Sequence, residues 1–173
     1  VLLPHRYKPE NFNIGDMLKV FVYLDYEERP VATTLTPHVH LNDFGYLHCS
    51  DVNEFGAFMD WGVQKQLFVP FKEQARPMKV GNWYIVYLSM DEQTNRLVGS
   101  SKTNKYLNND TVTLEKFDEI AIMVTHITDL GANVIVNGKH KGLIFINDIF
   151  EDIRTGDTMK AFVKSVREDN KID

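Results

Sequence analysis

The chain has 173 residues, 43% of them hydrophobic, and carries a formal charge of −5. That apolar content excludes a disordered chain, and the acidic balance excludes a strong non-specific polyanion binder, whose affinity comes from Lys and Arg at phosphates. The single cysteine, Cys49, leaves no internal disulfide, and no apolar run is long enough to span a bilayer or to serve as a signal segment, so the expected protein is cytoplasmic and has no membrane partner.

The first residues, Val1-Leu2-Leu3-Pro4, read like the inside of a domain, so the chain is expected to be a piece of a longer protein. An apolar-rich strand is predicted from Met17 to Leu24. The acidic turn Asp25-Tyr26-Glu27-Glu28 leads from it to a short strand near Val31-Ala32-Thr33. Thr34 to His40, with Pro37, reads as a linker. A complete unit of five predicted strands follows. These are Phe44 to Val52, Gly56 to Met59, Gln66 to Val69, Trp83 to Met90 and Arg96 to Ser100. Asp60-Trp61-Gly62 turns the second strand, and Glu73 to Lys79, containing Pro77, connects the third to the fourth. Asn104 to Leu114 reads as a second linker. Beyond it, Ile120 to Val124 has the length of a buried strand and Asn137-Gly138 marks a hairpin turn.

The chain also repeats itself. An offset of 66 aligns Leu3-Pro4 with Val69-Pro70, Gly15 with Gly81, Met17–Leu24 with Trp83–Met90, and the acidic turn with Asp91-Glu92-Gln93-Thr94. A third copy matches Asn53–Phe58 to Thr128–Asn133 and Val80-Gly81-Asn82 to Thr155-Gly156-Asp157. Its Leu143-Ile144-Phe145 matches Leu67-Phe68-Val69 after a gap of one residue. Short strands, frequent turns and no sustained helical periodicity give an all-β chain of tandem five-stranded OB-fold barrels. Residues 1–36 are the C-terminal part of a first barrel, 41–105 a second and 116–173 a third. From Leu41 to Lys105 seven basic residues meet seven acidic ones, whereas from Lys116 to Asp173 eight meet ten. The middle unit is therefore the better candidate for nucleic acid.

Phe55-Gly56-Ala57-Phe58-Met59-Asp60-Trp61-Gly62, Leu67-Phe68-Val69 and Val80-Gly81-Asn82 resemble the S-one-type RNA-binding repeat, named after the largest small-subunit ribosomal protein. Asp129-Leu130-Gly131-Ala132 through Thr155-Gly156-Asp157 resembles a second copy. The runs Val69-Pro70-Phe71-Lys72-Glu73-Gln74 and Asp91 to Val98 closely resemble the conserved virulence factor B family. In that family several such barrels precede a winged-helix domain, which this sequence does not show. The resemblance implies RNA binding and control of gene expression. It also implies that Phe55 and Phe58 form the stacking platform and that Arg96 and Asp91 form a polar pair beside it. Single strands are held by stacking on exposed aromatics while cations track the backbone. A bulge at Gly56 would bring both phenyl rings to one face. Trp61 either folds back on the barrel or meets a partner, and Lys65 and Lys72 are surface charges within reach of phosphate. The repeat's usual third-strand His is replaced by Val69 in the middle unit and by Phe145 in the last, which also has Leu130 and Asn133 at the platform positions.

His38, His40, His48 and Cys49 match no zinc-finger or ribbon spacing, so no metal is expected. No phosphate-cradling loop, nucleophile elbow or zinc-protease motif occurs, so neither an enzyme, a cofactor nor a small-molecule substrate is expected. The leading expectation is a binder of single-stranded RNA with strongly salt-dependent affinity. The alternative is a protein-interaction scaffold docking on the ribosome or RNA polymerase.

Overall fold

The computed structural model describes residues 1–173 and is all-β, with eleven strands in three antiparallel sheets. The middle unit is complete: β3 (Phe44–Val52), β4 (Gly56–Asp60), β5 (Leu67–Pro70), β6 (Trp83–Met90) and β7 (Leu97–Ser100), in the order β5-β4-β3-β6-β7. Side chains alternate across each strand. Leu47 and Cys49, Ala57 and Met59, Leu67 and Val69, and Val86 and Leu88 consequently form one buried core. The sheet curls until its edges meet. Gly99 of β7 lies so close to β5 that a Cβ would come 2.8 Å from Val69 and 3.2 Å from Leu67. The Ser101 N–H donates to the Glu73 carbonyl at 2.9 Å. Curling needs local twist, and a β-bulge supplies it in β3 between Cys49 and Asp51. The extra residue, Ser50, donates through Oγ to the Phe58 carbonyl at 3.0 Å.

The third unit repeats this plan in β8 (Glu119–Thr128), β9 (Gly131–Val136), β10 (His140–Phe145) and β11 (Thr158–Phe162). Thr125 stands at the bulge of β8 and bonds the Asn133 carbonyl, as Ser50 bonds that of Phe58. Val124 exchanges backbone bonds with Gly156 and Asp157, as Cys49 does with Gly81 and Asn82. One offset of 75 relates all these positions, with no gap at the third strand: Phe58 faces Phe68 and Asn133 faces Leu143. The fifth strand expected here is reduced to two isolated bridges, from Ile172 to Gly142 and to Val166. Ile172, in Leu97's place, accepts the Leu143 N–H at 2.9 Å.

The first unit has β1 (Phe21–Leu24) paired with β2 (Pro30–Thr33), and Leu2 bridges Val31 as the closing strand. The strand expected over Met17–Leu24 forms only from Phe21. In the middle barrel the corresponding half of β6 pairs with β3, and this sequence holds no counterpart of β3 in the first unit. A strand without a partner has no ladder to hold it. The expected linkers are not free tethers. Val39 is buried in the middle core, and Val112 and Leu114 pack on the third.

Candidate nucleic-acid interface

Because Ala57, Met59, Leu67 and Val69 point inward, the residues between them must point out. Register then places Phe58 of β4 opposite Phe68 of β5, half-buried, with ring centroids 5.2 Å apart and planes tilted by 39°. Directly opposed rings on a sheet face support one another. The sequence reading sets Val69, not Phe68, in the place of the repeat's third-strand His, and so leaves Phe68 off the platform. In the fold Val69 lies in the core. A one-residue shift in a strand exchanges its two faces, and the apolar Leu67 and Val69 on either side of Phe68 are the signal that could have found it.

Gly56 does not bulge. The bulge lies across the ladder at Ser50, and Gly56 instead allows β4 to approach β5. A Cβ there would sit 2.4 Å from the Val69 carbonyl and 2.9 Å from the Phe68 ring. Phe55 reaches the surface by leaving the strand. Its N–H donates to the Asn53 side-chain oxygen at 2.8 Å, closing a tight loop, and the residue is 65% exposed. Pro70, paired with Gly56, leads into a 3-10 turn at Phe71–Glu73. Phe71 and Lys72, both exposed, thus lie at the same end of the barrel as Phe55. Phe58 and Phe68 pair on the β4–β5 outer face, and Phe55, Phe71 and Lys72 lie on the loops that flank the Gly56–Pro70 end of this ladder.

The other residues singled out from sequence go elsewhere. Trp61 is 2% exposed and offers no face to a base. Its indole N–H donates to the Lys65 carbonyl at 2.5 Å, and its ring meets the edge of Phe21 from the first unit at 5.6 Å. The Lys65 ammonium donates to the Asp25 carbonyl at 2.9 Å, and partial burial pushes its pKa down. Arg96 pairs with Glu28. These three residues join the middle barrel to the first unit. Asp91 does not pair with the Arg96 side chain. Its carboxylate accepts the N–H groups of Thr94 and Gln93, both at 2.9 Å, and these bonds, with Lys72 adding a smaller effect, hold its pKa below the ordinary value. Asp25 shapes the corresponding turn of the first unit through the N–H groups of Glu27 and Arg29.

In the third barrel none of the four ring positions holds a ring, although Phe145, in Pro70's place, lies beside them with the Arg167 guanidinium 5.5 Å from its ring centre. Leu130, Asn133, Leu143 and Ile146 replace Phe55, Phe58, Phe68 and Phe71, and Asn147 replaces Lys72. No three His, Cys, Asp or Glu side chains lie together as a metal site. No helix is long and apolar enough to cross a membrane.

Residues 1–35 match the family model described as S1 domain. "Uncharacterized protein YitL" of Bacillus subtilis (strain 168) is 31% identical over 70 residues, which cover 40% of this chain. The match spans only 24% of that protein's length. Among solved structures, a Streptococcus pneumoniae TIGR4 multidomain protein with nucleic acid binding domains is similar at 20% identity and TM-score 0.49, covering 98% of this chain and 62% of that one. Drosophila Unr CSD456 is similar at 14% identity and TM-score 0.26, covering 83% and 68%.

Proposed function

We propose that this chain is a non-enzymatic, cytoplasmic RNA-binding protein in which the outer face of β4 and β5 stacks unpaired bases. We further propose that its units run 1–36, 41–105 and 116–173, that it belongs with the conserved virulence factor B proteins it resembles, and that it acts in control of gene expression. The observation that carries the RNA reading is the opposed Phe58–Phe68 pair beside the exposed Phe55. An OB barrel takes oligonucleotides on the second and third strands and the loop that joins the first two, which here are β4, β5 and the Phe55 loop. The S1 domain match of residues 1–35 supports the same reading for the repeat of which the middle barrel is the complete copy. Trp61, Lys65 and Arg96 serve by fixing the first unit beside this face, and Asp91 by shaping the turn at its edge.

Since Lys65 and Arg96 are engaged with the first unit, the exposed Lys72 in the turn after β5 is the cation left for phosphate. Affinity then comes mostly from bases. With one such contact, the single-strand salt slope of about −0.7 per phosphate contact gives a total slope of about −0.7, shallower than the sequence led one to expect. The test is a fluorescence-anisotropy titration with a short oligouridylate at two salt concentrations. Phe58→Ala and Phe68→Ala each weaken binding by about 5- to 100-fold, the loss of one base stack. Unchanged affinity in both variants would sink the reading.

A further inference from the structure

A second aromatic cluster lies on the same outer face, two strands away from the phenylalanines. Trp83 opens β6 and pairs with His48 of β3. Its ring lies 5.4 Å from His48 and 5.4 Å from Tyr46, yet 53% of the residue is exposed. An indole carries a large apolar face, and leaving half of it in water is costly unless something covers it. The cluster is also braced. The Tyr46 ring lies against Gly156 of the third barrel, so closely that a Cβ there would be 2.1 Å from the ring. The equivalent Gly81 has nothing within 4 Å.

From this placement we infer a second base-stacking subsite, centred on Trp83 and flanked by His48 and Tyr46, for the same single strand that occupies the phenylalanine platform. The inference rests on the RNA-binding reading above. His48 is opposite Asp60, two residues beyond Phe58 on β4, so Phe58 and Trp83 are separated by two strand spacings across the sheet and two residues along it, roughly 12 Å. A single OB barrel covers about 4–16 nucleotides, and a strand crossing β4, β3 and β6 meets both clusters. Asp51 and Asp60 lie on the path between the clusters and disfavour phosphates on the sheet surface. The strand therefore turns its bases toward the face and its backbone away. The third barrel, with Thr158 at the Trp83 position, has no such subsite, and contributes by holding Tyr46 in place.

The chain has two tryptophans, and Trp61 is buried, so quenching of its fluorescence by added RNA reports on Trp83. An oligouridylate of about 12 nucleotides, within the site size of one OB barrel, is expected to quench that signal. Trp83→Ala should then weaken binding by about 5- to 100-fold, while Trp83→Phe retains most of it. Trp83→Thr, the third barrel's own residue, replaces the alanine variant should that fail to fold. Absence of quenching, or native affinity in Trp83→Ala alongside a loss in Phe58→Ala, overturns the second subsite and leaves the platform standing. Native affinity in both variants overturns both.

Discussion

Gly56 and Gly131 are sites where a single methyl group decides the fold. At Gly56 it would meet the Val69 carbonyl at 2.4 Å, and at Gly131 the Ile144 carbonyl at 2.0 Å. Both obstacles are backbone, which cannot swing aside as a side chain can. Gly81 has open space and a φ of +87°, so an alanine there bears only the left-handed penalty of about 1–2 kcal/mol. Gly56→Ala is therefore expected to lower stability by more than Gly81→Ala, as read by urea denaturation. Equal losses would contradict the close-approach account. Trp61→Ala removes a ring buried between two units and should cost about 3–5 kcal/mol. Arg96→Ala breaks a pair whose partners are both mostly exposed and should cost less than about 1 kcal/mol.

Strand existence was legible in the sequence, while face assignment was legible only in part. The β3 and β6 boundaries follow directly from runs of apolar and aromatic residues between turn signals. Phe58 was placed outward on the strength of its motif. Phe68 is missed because the repeat's third-strand His position is set at Val69, which alternation across the strand turns into the core. The bulge was assigned to Gly56 because glycine permits one. It sits at Ser50, whose hydroxyl compensates the interrupted ladder by bonding the Phe58 carbonyl and accepting from the Gln66 amide. Asp51, a charge at the position that strict alternation after Leu47 and Cys49 would turn inward, was the available sign. Ser50→Ala should cost about 1 kcal/mol in thermal or chemical unfolding. What Trp61, Lys65 and Arg96 touch was not legible for a different reason, since their partners Phe21, Asp25 and Glu28 belong to another unit, and no local pattern reveals a contact between units.

Across the whole molecule, one repeat is used three ways. The first unit is locked to the middle barrel through Trp61, Lys65 and Arg96, the middle barrel carries the rings, and the third buttresses Tyr46 while bearing none of the platform residues. The turns that organise the first two units rest on Asp25 and Asp91, whose carboxyl groups are both held below the ordinary value of 3.8 by hydrogen bonds to the ionised form. Their folded pKa values are depressed, so their stabilisation is complete above the unfolded value and is lost as pH falls through the folded one. The thermal midpoint should accordingly drop on acidification below about pH 4, and Asp91→Asn should remove part of that drop. The most direct test of the proposed base-stacking face is an amide chemical-shift titration of the whole chain with a short oligouridylate. The outer-face amides of β4 and β5 and those of the Phe55 loop should move, while residues 130–146 of the third barrel stay still. Shifts concentrated in the third barrel, or none on β4 and β5, would contradict it.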